Sequence, residues 1–257
     1  MSLSNKKALR IWQFSDPHLY ADTEREYYGV STDKSLQAVL AHALASTKAA
    51  QLSLVTGDLV HDESVVAYQR LADYLKKLSV PIYCLAGNHD EPVVMNKVLE
   101  KNNIALHMSV QLKNWQIIML DSTVPERVGG HLSQQELDRL AQMLSNNPDN
   151  YFLVCLHHPP RPTGMKWMDD ELLLDNPQQL FNVLDQFENI RCVSWGHVHQ
   201  ASCAQRKGVT LLSTPSTMVQ FKPDCVEFTV DDIEAGYRWF DLYDDGNFKT
   251  GVERVSI

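Results

Sequence analysis

The stretch Leu52-Ser53-Leu54-Val55-Thr56-Gly57-Asp58 decides how the rest of the chain is read. Its first five residues form an apolar run of strand length, too short for an ordinary helix. Apolar residues without strict alternation are expected of a strand covered on both faces, as in sheets flanked by helices. Gly57 ends the run and allows a tight turn, and a carboxylate follows at once. A doubly covered strand that ends in glycine and aspartate predicts an α/β protein with its chemistry at the carboxyl ends of its strands.

Working outward, the pattern recurs. Residues 8–14 (ALRIWQF) read as a strand and run into Ser15-Asp16-Pro17-His18. Residues 80–85 (VPIYCL) run into Ala86-Gly87-Asn88-His89-Asp90. Residues 151–156 (YFLVCL) run into His157-His158-Pro159-Pro160, and residues 191–195 (RCVSW) into Gly196-His197-Val198-His199. Residues 115–120 (WQIIML) add a further strand. Between these runs, helical spacing appears over residues 33–50, carried by Leu36, Val39, Leu40 and Leu44, and over residues 64–78. Residues 91–101 read as a helix with Pro92 in its first turn, where proline is tolerated. Ser133 with Glu136 matches a capping box, and residues 177–187 are helical. This alternation predicts βαβ units. Residues 208–212, 225–230, 236–242 and 248–255 predict a closing antiparallel meander. No repeat or Pro/Gly/Ser-rich linker divides the chain, so residues 1–257 are expected to form a single domain of two packed sheets with helices outside.

A net charge of -9 argues against a protein held to nucleic acid by a basic surface. No apolar run approaches the roughly 18 residues of a membrane span, and the polar start of the chain does not read as a secretory signal. Cys84, Cys155, Cys192, Cys203 and Cys225 include no CxxC pair, and three of them lie in apolar runs. They read as reduced thiols of a cytoplasmic protein.

Six of the ten histidines fall in the blocks that follow the strands. A single aspartate or histidine there is ordinary turn chemistry; five strand ends carrying Asp, Asn or His together predict a metal centre. Imidazole with carboxylate and no thiolate suits iron, manganese, zinc or cobalt, whereas calcium takes oxygen donors. Asp16 and His18 lie two apart, as do His197 and His199, so in an extended segment each pair projects to one side. Asp58 stands alone after its glycine, where a carboxylate can bridge two ions.

The blocks Asp16-x-His18, Gly57-Asp58, Gly87-Asn88-His89-Asp90, His157-His158-Pro159 and Gly196-His197-x-His199 resemble those of the calcineurin-like metallophosphoesterases. Tyr28-Gly29-Val30, Trp167-Met168-Asp169, Thr214-Pro215-Ser216-Thr217 and Val219-Gln220-Phe221-Lys222-Pro223 extend the likeness to the bacterial class III 3',5'-cyclic AMP phosphodiesterases. The resemblance implies a four-layer αββα sandwich of two mixed sheets flanked by helices. It implies one metal held by Asp16, His18, Asp58 and His199, and a second held by Asp58, Asn88, His157 and His197. Iron or manganese is favoured, with zinc or cobalt as alternatives. His158 competes with His157 as the ligand, and His157 is preferred. His89 is implied as the catalytic acid, and Asn88, His89 and His18 as phosphate-facing residues. The implied partner is a small cyclic nucleotide, with neither nucleic acid nor membrane involved, and with monomer or dimer left open. Tyr27, Tyr28, Trp167 and Phe221 are candidates for a base-binding wall, Arg161 and Lys166 for a phosphate contact, and Asp90 for either an orienting or a plain turn role.

Overall fold

Successive side chains of a strand point to opposite faces, and in this protein the two faces feed different cores. The computed structural model describes residues 8–106 and 109–257. The first part of the chain comprises β1 (Leu9–Phe14), β2 (Glu26–Tyr27), β3 (Val30–Ser31), α1 (Thr32–Leu44), β4 (Leu52–Thr56), α2 (Val65–Lys76), β5 (Ile82–Leu85), α3 (Pro92–Lys101) and β6 (Ala105–Leu106). There follow β7 (Ser109–Leu112), β8 (Trp115–Met119), α4 (Gln134–Asn146), β9 (Tyr151–Leu156), α5 (Lys166–Asp169), α6 (Pro177–Leu184) and β10 (Ile190–Trp195). The chain closes with β11 (Ser202–Arg206), β12 (Val209–Ser213), β13 (Gln220–Phe221), β14 (Val230–Asp231), β15 (Ala235–Leu242) and β16 (Phe248–Val255).

Two six-stranded mixed sheets result, in the orders β16-β15-β1-β4-β5-β6 and β11-β12-β10-β9-β8-β7. In β9, Phe152, Val154 and Leu156 join a core with Leu140 and Leu144 of α4 and Leu180 of α6, while Leu153 and Cys155 turn the other way. In β1, Trp12 and Phe14 join Leu36 of α1, Leu71 of α2 and Leu99 of α3, while Ile11 turns inward. The inward residues of both sheets, among them Leu52, Leu54, Trp115, Ile117, Leu153 and Phe240, form a third core between the sheets. The layers therefore run helix, sheet, sheet, helix, the four-layer α/β sandwich expected.

The closing segment departs from the expected meander. The β11–β12 and β15–β16 hairpins are antiparallel, but β12 also pairs parallel with β10, and β15 crosses to the other sheet to pair antiparallel with β1. Local patterning marks a strand without saying which sheet edge is free to receive it. The expected strand over residues 225–230 is reduced to its last residue, Val230. Asp224, just before it, has φ 56°, and only Val230–Asp231 pairs, with Gln220–Phe221. The first helix ends at Leu44 rather than at residue 50, capped by the Ala45 N–H on the Ala41 carbonyl. At α4 the Ser133 hydroxyl accepts the Glu136 N–H at 3.2 Å as a cap should, while the Glu136 carboxylate turns to Arg139 at 2.6 Å. Cys84, Cys155 and Cys192 are buried in strands, and all five thiols are free.

Candidate metal centre

Parallel pairing of β1 with β4 and of β4 with β5 brings three strand ends side by side. The loops lock together: Asp16 N–H donates to the Gly57 carbonyl at 3.1 Å and His18 N–H to the Asp58 carbonyl at 3.0 Å. The second sheet meets them end to end. The His197 N–H donates to both Asp16 carboxylate oxygens, at 3.0 and 3.1 Å, and His157 Nδ1 donates to the Thr56 carbonyl at 2.9 Å. A Cβ on Gly196 would lie 2.1 Å from Ser15 Oγ, so this approach requires glycine.

The side chains of these loops converge. A carbonyl oxygen only accepts, so His157 and His199 must carry their protons on Nδ1, which face Thr56 and Val219 at 2.9 and 3.0 Å. Their Nε2 atoms then turn inward, where burial would lower the His157 pKa but Asp58 raises it to about 9. His199 Nε2 lies 3.2 Å from His18 Nε2 and 3.6 Å from Asp16 Oδ1. His157 Nε2 lies 3.2 Å from Asn88 Oδ1, 3.2 Å from His197 Nδ1 and 3.4 Å from Asp58 Oδ2. His18 Nε2 reaches the same Asp58 oxygen at 3.4 Å. Acceptors crowd together here with too few protons to join them, an arrangement that suits cations. His197 Nε2 is buried without a hydrogen-bond partner. Burial holds His18 and His197 well below the usual imidazole pKa and His199 down at about 3, so these rings are neutral and able to coordinate. Burial pushes the Asp16 carboxyl up to about 7, His157 opposing the rise and Asp58 adding to it. Burial would raise Asp58 too, but His157 and His18 hold it well below the carboxylate range.

Above the cluster opens a cavity of about 200 Å³. His18, Asp58, Asn88, His89, His197 and His199 form its floor, and Tyr27, Tyr28, Trp167, Phe221 and Phe228 its wall. Phe221 stacks on His199 at 4.0 Å and 7°, and Trp167 meets Phe221 and Phe228 edge to face at 5.5 and 5.1 Å. Tyr28 and Gly29 both have positive φ, 47° and 80°, as a two-residue type I′ turn requires, and this turn sets Tyr27 and Tyr28 at the rim.

Residues 9–201 match the calcineurin-like phosphoesterase family. The chain is a calcineurin-like phosphoesterase. It is 39% identical over 243 residues to a 3',5'-cyclic adenosine monophosphate phosphodiesterase of Pseudomonas aeruginosa, covering 95% of this chain and 89% of that one. It is 37% identical over 257 residues to the enzyme so named in Escherichia coli, covering 100% and 93%. The fold is shared with a dimetal phosphatase from Danio rerio, at a TM-score of 0.68 and 14% identity over 97% of this chain and 100% of that one. It is shared also with a purple acid phosphatase from Lupinus luteus, at 0.70 and 12% over 97% and 52%.

In this phosphoesterase the two adjacent histidines have different surroundings. His157 points into the cluster. His158 points away: its Nε2 donates to the Val128 carbonyl at 2.9 Å, leaving Nδ1 to accept from Ser122 Oγ at 2.8 Å. Asp90 is a buried clamp across two loops. Its carboxylate accepts from the Gly87, Leu59 and Val60 N–H groups at 2.8, 3.1 and 3.3 Å and from the Tyr68 hydroxyl at 2.9 Å. Asp90 N–H also closes a turn on the Gly87 carbonyl at 3.2 Å, so it fills both of its candidate roles. Arg161 and Lys166 stay outside the site: Arg161 lines a separate small cavity, and exposed Lys166 pairs with Asp170 at 2.7 Å. Sequence reasoning missed Val128, Leu172 and Phe228 of the cavity lining, and His61 beside His18. Phe228 lay in a segment misread as a strand. His61 follows Asp58 by three residues, and no spacing marked it.

Proposed function

We propose that this phosphoesterase hydrolyses 3',5'-cyclic AMP to 5'-AMP at a two-metal centre. The reading is carried by one observation: carboxylate, amide and neutral imidazole donors from the ends of both sheets converge beneath an aromatic-walled cavity. The names of the relatives supply the substrate. Asp16, His18, Asp58 and His199 would hold one ion, and Asp58, Asn88, His157 and His197 the other, with the Asp58 carboxylate between them. Imidazole and carboxylate donors favour iron or manganese, with zinc and cobalt as alternatives. Ions held there would supply an activated water and charge stabilisation for the phosphoryl group.

The rest falls to the chain. Asn88 offers its amide N–H to an equatorial phosphoryl oxygen, and His18 and His89 flank the phosphate. As water adds to phosphorus, giving up one proton to solvent, and the P–O3' bond breaks, His89 passes an imidazole proton to the leaving 3'-oxygen. Such proton transfer contributes about 10²–10⁴-fold. Tyr27, Tyr28, Trp167 and Phe221, with Phe228, pack against the base. The substrate is a small molecule of the cytoplasm; among the described residues no helix is long and apolar enough to cross a membrane.

A second reading has an observation of its own. A larger cavity of about 640 Å³ shares Asn88, His89 and Val128 of its lining with the first. It leaves room for the second ester arm of a bulkier diester, such as a glycerophosphodiester. The deciding experiment reconstitutes the protein with Mn2+ and compares cyclic AMP, bis-p-nitrophenyl phosphate and p-nitrophenyl phosphate. The proposal expects turnover of cyclic AMP with negligible monoester turnover. Diester turnover without cyclic AMP turnover selects the second reading, and full activity after chelation ends both.

A further inference from the structure

We propose that His61 is a positioning residue that holds two site histidines at once. The proposal rests on the reading of His18 as a metal ligand and His89 as the acid. His18 turns Nε2 toward Asp58 and His199, at 3.4 and 3.2 Å. With that nitrogen committed, its proton sits on Nδ1, and a neutral imidazole has one donor and one acceptor. The group that meets His18 Nδ1 is His61 Nδ1, 3.2 Å away. His61 therefore accepts there and carries its own proton on Nε2.

The other two buried imidazoles with inward Nε2 atoms, His157 and His199, are oriented by backbone carbonyls. His18 relies instead on a side chain, which must itself be held in place. The His61 backbone N–H donates to the Leu19 carbonyl at 2.8 Å, fixing the main chain there, and its ring lies against Tyr20 at 4.7 Å and Tyr27 at 5.4 Å. The same ring stacks on His89 at 4.5 Å and 24°. One imidazole thus aims the lone pair of His18 and backs the ring that donates the proton.

The two duties separate by substitution. Asparagine places an acceptor near the Nδ1 position without a ring; phenylalanine keeps the ring without the acceptor. Metal affinity is read with Mn2+ alone, by competition against a chromophoric chelator, and kcat is read at saturating Mn2+ on cyclic AMP. His61→Phe is expected to weaken Mn2+ binding by about 10–100-fold, the usual effect of removing an outer partner of a ligand. His61→Asn is expected to bind Mn2+ within about threefold of the parent, yet to lose about 3–10-fold in kcat as His89 loses its stacking partner. Parental Mn2+ affinity in His61→Phe overturns the aiming role, and parental kcat in His61→Asn overturns the backing role. A parent protein that takes up no Mn2+ overturns the metal reading beneath the proposal, a result distinct from either.

Discussion

Five polar residues of the cluster stand in the left-handed backbone region: Asp16, His18, Asp58, His197 and His199, with φ between 44° and 65°. Each such non-glycine residue costs about 1–2 kcal/mol relative to a relaxed conformation. Cooperation among the loops offsets that cost, since Asp16, His18 and His197 all donate backbone N–H groups across strand ends. The strain marks where the chain leaves a strand and folds its donors back over the sheet edge. Gly57, at φ 91°, has no more latitude than Gly196, because a Cβ there would lie 2.2 Å from His157 Nδ1. Gly57→Ala is expected to break the His157–Thr56 bond, lowering both bound metal and the thermal midpoint, as elemental analysis and calorimetry would read. Asp58→Ala removes the carboxylate shared by His18 and His157. It should empty both metal positions and cut turnover by at least about 100-fold, more than the loss of an outer-shell partner; two metals retained per chain would refute the bridging assignment.

At the scale of elements, the seam between β1 and β15 is fastened by an ion pair. Arg10 Nε lies 2.5 Å from Asp241 Oδ1 with both side chains buried, and Lys48 reaches the other oxygen at 3.0 Å. Burial by itself would raise the Asp241 pKa, but Arg10 and Lys48 hold it below the carboxylate range. A carboxyl depressed in the folded state adds stability above its unfolded pKa of about 3.9 and loses it as the pH falls through the folded value. Asp241→Asn strands Arg10 in the interior and should cost about 3 kcal/mol at neutral pH. Urea midpoints of the two proteins should therefore converge below about pH 4, and a gap unchanged down to pH 2 would show that charge is not the cause. Ser133→Ala, which removes the α4 cap, should cost about 1 kcal/mol with metal content unaltered.

Across the whole molecule, the candidate ligands come from both sheets: Asp16, His18, Asp58 and Asn88 from the ends of one, His157, His197 and His199 from the other. Ions held there would tie the sheets together at the rim of their shared core. Mn2+ at about a hundred times its dissociation constant should add about 2.7 kcal/mol to folding. For a chain of this length that is a rise of about 5–10 °C in the thermal midpoint. EDTA should reverse the shift, and Asp58→Ala should show none. An equal rise in that variant would place the stabilising ion elsewhere.

The amino-acid sequence by itself determined the layers and the donor types at the strand ends. Both depend on short-range pattern: the apolar run of Leu52-Ser53-Leu54-Val55-Thr56 needs cover on two faces, and the residues after it can only lie at that strand's carboxyl end. Tertiary structure alone decided that β15 closes the first sheet against β1, that His158 turns to Ser122 and Val128, that Phe228 reaches the cavity and that His61 packs against His18 and His89. Those outcomes turn on which edge, carbonyl or ring from a distant part of the chain arrives at each place. Spacing along the chain carries no record of that choice, because it is made by packing between segments that share no local pattern.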